Sequence, residues 1–154
     1  MEDGSVEEVR LRIKGLSDGT IGHEIETCSA TAIRLLKAEK GFLLCDLIIQ
    51  TSFLDQHGNW HASAIATLVD MIASFASYSI NSTHQLTLDF SISYYSTAKL
   101  QEEVEIEAKV IGKKGDLTSV IVEVRKKQNR ELVALGKLWM AVAKRNPINL
   151  ASKL

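Results

Sequence analysis

The sequence predicts an α+β domain in which antiparallel strands wrap one long, buried helix. Three observations carry this. The segment 62–79 (ASAIATLVDMIASFASYS) is apolar all round, as a helix enclosed by a core is. Four runs after it alternate apolar and polar residues at the strand period. Two more strand-like runs before it flank a tight turn. At 154 residues the chain fits one domain with one core.

The elements follow in order. Residues 5–17 (SVEEVRLRIKGLS) predict a short helix, since Val6, Val9 and Ile13 recur at helical spacing. AIRLLKA (32–38) and FLLCDLIIQ (42–50) read as strands around Glu39-Lys40-Gly41, with Gly41 supplying the turn. The long helix comes next. Residues 85–95 (QLTLDFSISYY) then place Leu86, Leu88, Phe90, Ile92 and Tyr94 on one face of a strand. Residues 103–111 alternate Val104, Ile106, Ala108 and Val110 with charge, and Lys113-Lys114-Gly115-Asp116 turns the chain. Residues 118–127 alternate Val120, Val122 and Val124, and 131–144 form the last strand after a turn near Gln128-Asn129.

Composition narrows the class. Hydrophobic residues are 45% and charged residues 24%, which is globular rather than disordered. A net charge of -1 provides no basic field for a nucleic-acid backbone. Two cysteines, Cys28 and Cys45, make neither a disulfide framework nor a metal spacing and read as reduced intracellular thiols. The acidic N-terminus lacks the apolar core of a secretory signal. Asp70 and several hydroxyls argue against a membrane span at 62–80. Residues 1–145 form the domain. Residues 146–154 read as a flexible tail with Pro147, ending in Ser152-Lys153-Leu154. That tripeptide is a receptor-read peroxisomal address, so the expected location is the peroxisome, with an import receptor as partner and the cytoplasm as the alternative.

One carboxylate stands out. Between Ala62 and Ile80 the ionisable groups are Asp70 and the phenol of Tyr78. A carboxylate inside an apolar helix is costly unless something pairs with it or uses it. It belongs to a stripe of Ser63, Thr67, Asp70, Ser74 and Ser77, spaced +4, +3, +4, +3 along one face. The stripe reads equally as a modestly exposed face and as a face meeting a site or a second subunit. His61 precedes the helix by one residue. At 1.5 Å per residue it lies roughly 13 Å from Asp70 along the axis, too far to act on the same atom. Either the two are unrelated, or a two-fold dimer brings His61 of one chain towards Asp70 of the other. The helix start at His61, Ala62 and Ser63 offers unpaired N–H groups for a developing oxyanion. Asp70 is expected to be a buried base or nucleophile.

The stretches HGNWHASAIATLVDMIAS (57–74) and LTLDFSISYYSTAKLQEEVEIEAKV (86–110) resemble the small hotdog-fold acyl-CoA thioesterases of the phenylacetate-pathway type. The likeness runs from about Val9 to Lys144. Gly58, His61, Ala66, Leu68, Asp70, Thr87, Asp89, Ala98 and Lys99 fit the family pattern. The resemblance implies a hotdog fold, hydrolysis of an acyl-CoA thioester, and a homodimer that pairs into a homotetramer without metal or cofactor. It implies that Asp70 activates water or attacks the thioester carbonyl, with Thr87 of the same subunit holding the water. Across the interface, the Ala62 N–H would bind the carbonyl oxygen and His61 would orient that loop. Asp55, Gly58 and Ser63 would line the substrate site. Two departures stand out. The family's His-Gly-Gly is His61-Ala62-Ser63 here; alanine keeps the N–H but is expected to lose positive φ or the closest approach of ligand to backbone. Asp55 replaces an asparagine, and an ionised carboxylate cannot donate a hydrogen bond. Activity is expected, reduced or shifted in substrate.

The alternatives are a hotdog acyl-CoA binder whose site has decayed, an aromatic (hydroxynaphthoyl-type) CoA thioesterase and, last, a hydratase. Trp60 reads as packing at the helix start rather than as acyl pocket. Lys99, Lys113, Lys114, Lys126, Lys127 and Arg130 are weak candidates for coenzyme A phosphates.

Overall fold

The structure, a computed structural model, describes residues 3–143. The tail from 146 and its terminal Ser152-Lys153-Leu154 lie outside the described residues.

The chain begins with helix α1 (Gly4–Asp18). Asp3 caps it by accepting the Ser5 N–H at 3.0 Å, and Gly19 ends it in the left-handed conformation at φ 74°. Val6, Val9, Ile13 and Leu16 bury its inner face. A second helix, α2 (Glu24–Ala30), was not predicted. It has under two turns, Ile25 faces solvent, and only Ser29 and Ala30 are buried, so it writes no apolar stripe. Its start is set by Glu26, whose carboxylate accepts the His23 N–H at 2.9 Å.

Strands β1 (Arg34–Glu39) and β2 (Phe42–Ile48) form the predicted hairpin. Gly41 turns it at φ 72°, and a Cβ there would sit 2.7 Å from Ile80, so glycine is needed twice over. A 3-10 turn (Thr51–Phe53) leads towards the long helix α3 (Ala62–Asn81). Then come β3 (Gln85–Tyr94), β4 (Glu103–Lys114), β5 (Leu117–Lys126) and β6 (Leu132–Val142). All six strands form one antiparallel sheet in the order β1-β2-β4-β5-β6-β3.

The sheet curls round α3. Ile65, Leu68, Val69, Ile72, Ala73 and Ala76 of the helix pack on Val104, Ile106, Val120, Val122 and Leu138 of the strands. A Cβ on Gly136 would lie 2.5 Å from a Val69 methyl, so this glycine sets how close α3 approaches β6. At its C-terminal end, α3 is tied down by Ser79. Its hydroxyl accepts the Gly41 N–H at 2.8 Å, and its carbonyl accepts the Ser5 hydroxyl at 2.8 Å. Alone, α3 is long and apolar enough to cross a membrane; here one face of it is the core.

Two expectations need correction. The apolar residues of β3 do not share a face. A bulge between Thr87 and Asp89 leaves Leu88 without a partner on β6 and reverses the alternation. Gln85 and Thr87 before it, and Phe90, Ile92 and Tyr94 after it, point towards α3. Leu86 and Leu88 point outward, 58% and 60% exposed. The hydroxyl stripe of α3 does not share one environment either. Ser63 is exposed, Asp70 half-buried, and Ser77 fully buried beside Asn81. Its mean step of 3.5 residues drifts roughly 40° over two heptads, enough to carry it into the core.

Asp46 on β2 is a buried carboxylate with a structural role. Arg34 grips it at 2.7 and 2.6 Å, and Lys127 donates at 3.0 Å, joining β1, β2 and the end of β5. Burial pushes its pKa up, but the hydrogen bonds from Arg34 and Lys127 outweigh that and hold it below the usual carboxylate range. Its stabilisation is therefore complete above the unfolded value near ~4 and is lost as pH falls through the lower folded value. Asp46→Asn is expected to cost about 2–4 kcal/mol at pH 7. Urea titrations should show this deficit shrinking between pH 7 and pH 3; a constant deficit would show that Asp46 stays charged, or contributes otherwise, throughout.

Candidate active site

The site is built around α3. Its N-cap is His61, which is exposed and whose Nδ1 accepts the Ser63 N–H at 3.0 Å. With Nδ1 accepting, Nε2 is the ring nitrogen left to donate. The Ala62 N–H has no acceptor among the described residues. Ala62 and Ser63 are helical, and neither has positive φ. The backbone at these two positions therefore does not need glycine's access to positive φ, and the N–H stays available.

The loop before α3 is shaped by Asp55. Its carboxylate accepts the His57 N–H at 2.8 Å and the Asn59 N–H at 3.0 Å. Gly58 turns the chain at φ 75°. The Asn59 N–H, then that of His57, hold the Asp55 carboxyl below its usual range, with some help from the nearby His57 and His61 rings. An asparagine oxygen would accept the same bonds. What Asp55 changes is charge, not loop geometry. Trp60 is 2% exposed and packs in the core, as its packing role predicts.

Asp70 lies two and a half turns along α3. It is half-buried in the single chain rather than enclosed, because its face of the helix meets the sheet only at the edge strand β3. Its Oδ1 accepts the Thr87 hydroxyl at 2.7 Å. The β3 bulge makes this contact possible, since it lets Thr87 and Phe90 both face the helix. Tyr94, which the sequence did not single out, closes the same strand onto the helix start by donating to the Ala62 carbonyl at 3.0 Å. Thus β3 is fastened to α3 at both ends of the site.

The structure brings Asp70 and Thr87 together, and separately His61, Ala62, Ser63, Asp55 and Gly58. The two groups are held apart by the length of helix between them. Of the candidate phosphate-binding cations, Lys126, Lys127 and Arg130 are already paired with carboxylates, and Lys99 and Lys113 with asparagine side chains. Among the described residues, no cluster of three His, Cys, Asp or Glu side chains is placed to hold a metal. The Cys45 thiol is pushed up to about 12 by burial, which makes it inert.

Beside Asp70 a cavity of about 420 Å³ opens between α1, the α1–α2 loop and α3. Leu16, Met71 and Phe75 give it apolar walls; Asp70 and Gln85 lie on its lining. Sequence reasoning missed it because its walls come from segments far apart in the chain.

A profile described as the thioesterase superfamily matches residues 57–133, half of the chain. The chain belongs to the thioesterase superfamily. The matched span runs from the loop before α3 into β6 and holds Asp70, Thr87 and the helix start, but not Asp55. Human acyl-coenzyme A thioesterase 13 is 29% identical to this superfamily member over 106 residues, covering 68% of this chain and 76% of that one. The crystal structure of zebra fish thioesterase superfamily member 2 superposes with a TM-score of 0.79 at 23% identity, over 89% of this chain and 97% of that chain. A Streptococcus mutans protein bound to acetyl CoA superposes at 0.69 with 25% identity, over 74% and 90%. The expected hotdog architecture, a six-stranded antiparallel sheet round one long helix, is the fold observed.

Proposed function

We propose that this protein is an acyl-CoA thioesterase whose site is shared by two subunits. The observation that carries the reading is the Asp70–Thr87 pair: a lone carboxylate, oriented by a hydroxyl, on the open face of an apolar helix. The name of the human relative and the acetyl CoA held by the Streptococcus mutans neighbour supply the substrate class.

The reaction divides between the two ends of α3. Asp70 acts on the thioester carbonyl, either by taking a proton from water or by attacking carbon itself; Thr87 holds Oδ1 and so orients the carboxylate. The carbonyl oxygen becomes negative as the tetrahedral intermediate forms. A free N–H at a helix start, with the dipole behind it, stabilises that charge. Within one chain the Ala62 N–H is too far away, so the partner subunit provides it. The intermediate collapses and the C–S bond breaks; in the base route the acid forms directly and the thiolate takes the proton Asp70 removed from water, whereas in the nucleophilic route the collapse leaves an Asp70–acyl anhydride that water hydrolyses to the acid, its proton balancing the thiolate. Single turnover in ¹⁸O-water separates the two roles: label in Asp70 marks nucleophilic attack.

The dimer has support on the edge of the sheet. β3 is ten residues long and, among the described residues, has no partner on its outer side; Leu86, Leu88, Tyr94 and the following Tyr95 are exposed. A long apolar edge invites another strand, and antiparallel pairing of β3 with its copy sets two α3 helices side by side in opposite directions. Pairing of dimers into a tetramer has an available surface on the outer sheet face at Ile111 and Trp139. The second reading, an acyl-CoA binder, is favoured by the ionised Asp55 near the helix start, which opposes an oxyanion there. Thiol release from a panel of acyl-CoAs decides between them: binding without release would leave the binder.

Peroxisomal location is part of the proposal, resting on Ser152-Lys153-Leu154. A fluorescent protein fused ahead of the full chain should enter peroxisomes, and removal of the three residues should leave it in the cytosol.

A further inference from the structure

We infer that Tyr94 is a positioning residue for the hydrolysis: its hydroxyl holds the first turn of α3 so that the Ala62 N–H meets the developing oxyanion in the partner's site. This rests on the thioesterase reading and deepens it.

The observations concern the two peptide groups that flank Ala62. The group between His61 and Ala62 carries the free N–H, and its carbonyl accepts the Ile65 N–H at 3.1 Å. The group between Ala62 and Ser63 is gripped at both ends. Its N–H donates to His61 Nδ1 at 3.0 Å, and its carbonyl accepts the Tyr94 hydroxyl at 3.0 Å. The His61 N–H in turn donates to the Phe53 carbonyl at 2.8 Å. Among these bonds, only that of Tyr94 comes from the sheet; the others lie within the helix start and the segment before it. Helix ends held by their own bonds fray. An oxyanion donor works best when its direction is fixed before the reaction begins.

Tyr94 reaches α3 because β3 bulges. Thr87 and Tyr94 are seven residues apart, and an odd separation in a regular strand puts two side chains on opposite faces. The shift between Thr87 and Asp89 sets both hydroxyls on the helix side. One then lies on Asp70 at 2.7 Å and the other on the Ala62 carbonyl. A single strand thus sets both reacting ends of α3. Thr87 serves the site of its own subunit, and Tyr94 serves the site to which the Ala62 N–H is presented. The chemistry suits the task. Partial burial pushes the Tyr94 phenol up in pKa, so it stays a donor. A carbonyl has two lone pairs, so Ala62 accepts Tyr94 without giving up a helical bond.

The test is Tyr94→Phe, which removes the hydroxyl and keeps the ring. With an acyl-CoA that wild type hydrolyses, kcat should fall about tenfold, roughly what one hydrogen bond contributes, while KM changes by less than about twofold. Ala62→Pro separates positioning from general support. Its proline lacks the N–H but keeps the carbonyl that Tyr94 holds. His61, at φ -63° and ψ 129°, already has the extended backbone that a residue before proline needs. In that background Tyr94→Phe should lower kcat no further. An unchanged kcat in Tyr94→Phe, a raised KM in its place, or the same loss repeated in Ala62→Pro would overturn the role. If folded wild type releases no thiol from any acyl-CoA, the hydrolase reading fails on its own account. The hold on the helix start is then read by amide hydrogen exchange. The Ser63 N–H should exchange about tenfold faster in Tyr94→Phe, and unchanged exchange overturns the assignment.

Discussion

Asp70→Asn is expected to lower thiol release by about 10³-fold or more, with acyl-CoA affinity changed little. The exchange removes a charge and a basic oxygen while keeping size and one acceptor, so the Thr87 hydroxyl at 2.7 Å retains a partner. Losses of this order follow removal of a group that acts only in the transition state. Stability should be unchanged or slightly raised, because Asp70 is half-buried and no cation partners it among the described residues. Stopped turnover with a thiol reagent, alongside calorimetric titration with the same thioester, makes the comparison. A variant that still turns over at a tenth of the wild-type rate would remove Asp70 from the chemistry.

Ala62→Pro is the second large effect, and it tests the shared site. Proline lacks the N–H that is proposed to hold the oxyanion, yet the first helical position tolerates it because that N–H has no helical partner. A loss of about 10²–10³ in kcat with little change in melting temperature is expected. Subunit mixing then gives the sharper result. Asp70→Asn and Ala62→Pro are each inactive alone. If one chain supplies Asp70 and the other the N–H, a hybrid dimer has one intact site and one doubly damaged. Random re-association should recover about a quarter of wild-type activity. A mixture that stays inactive after verified exchange would place both groups in one subunit, or the oxyanion donor elsewhere.

Several parts of the fold were legible because they depend on near neighbours. The glycines at 41 and 115 turn their hairpins at φ 72° and 60°. Val120, Val122 and Val124 all point inward, as their alternation predicts. The long helix extends two residues past its expected end, to Asn81. Helix α2 was missed for the opposite reason: it buries almost nothing, so its residues carry no periodic signal. The site was legible in part. Asp70 announced itself by being a carboxylate in an apolar run, and the helix start by its place before that run. Thr87 was reached through resemblance, since nothing in QLTLDF distinguishes one threonine. Asp55 read as a departure from a pattern, and only the hydrogen bonds to His57 and Asn59 revealed that it keeps the loop's geometry.

Composition, periodicity and turn chemistry by themselves determined the α+β class, the order of the main elements, the central helix and the lone carboxylate that is proposed as its reactive centre. These follow from interactions within a few residues of chain. The tertiary structure decided which face of α3 stays open, that β3 shifts its alternation at Leu88, and that a cavity lies beside Asp70. Each depends on pairing between distant segments: β3 with β6, and α1 with α3. The bulge exists only in a ladder, and the cavity only as volume left between packed elements, so no single stretch of sequence contains either.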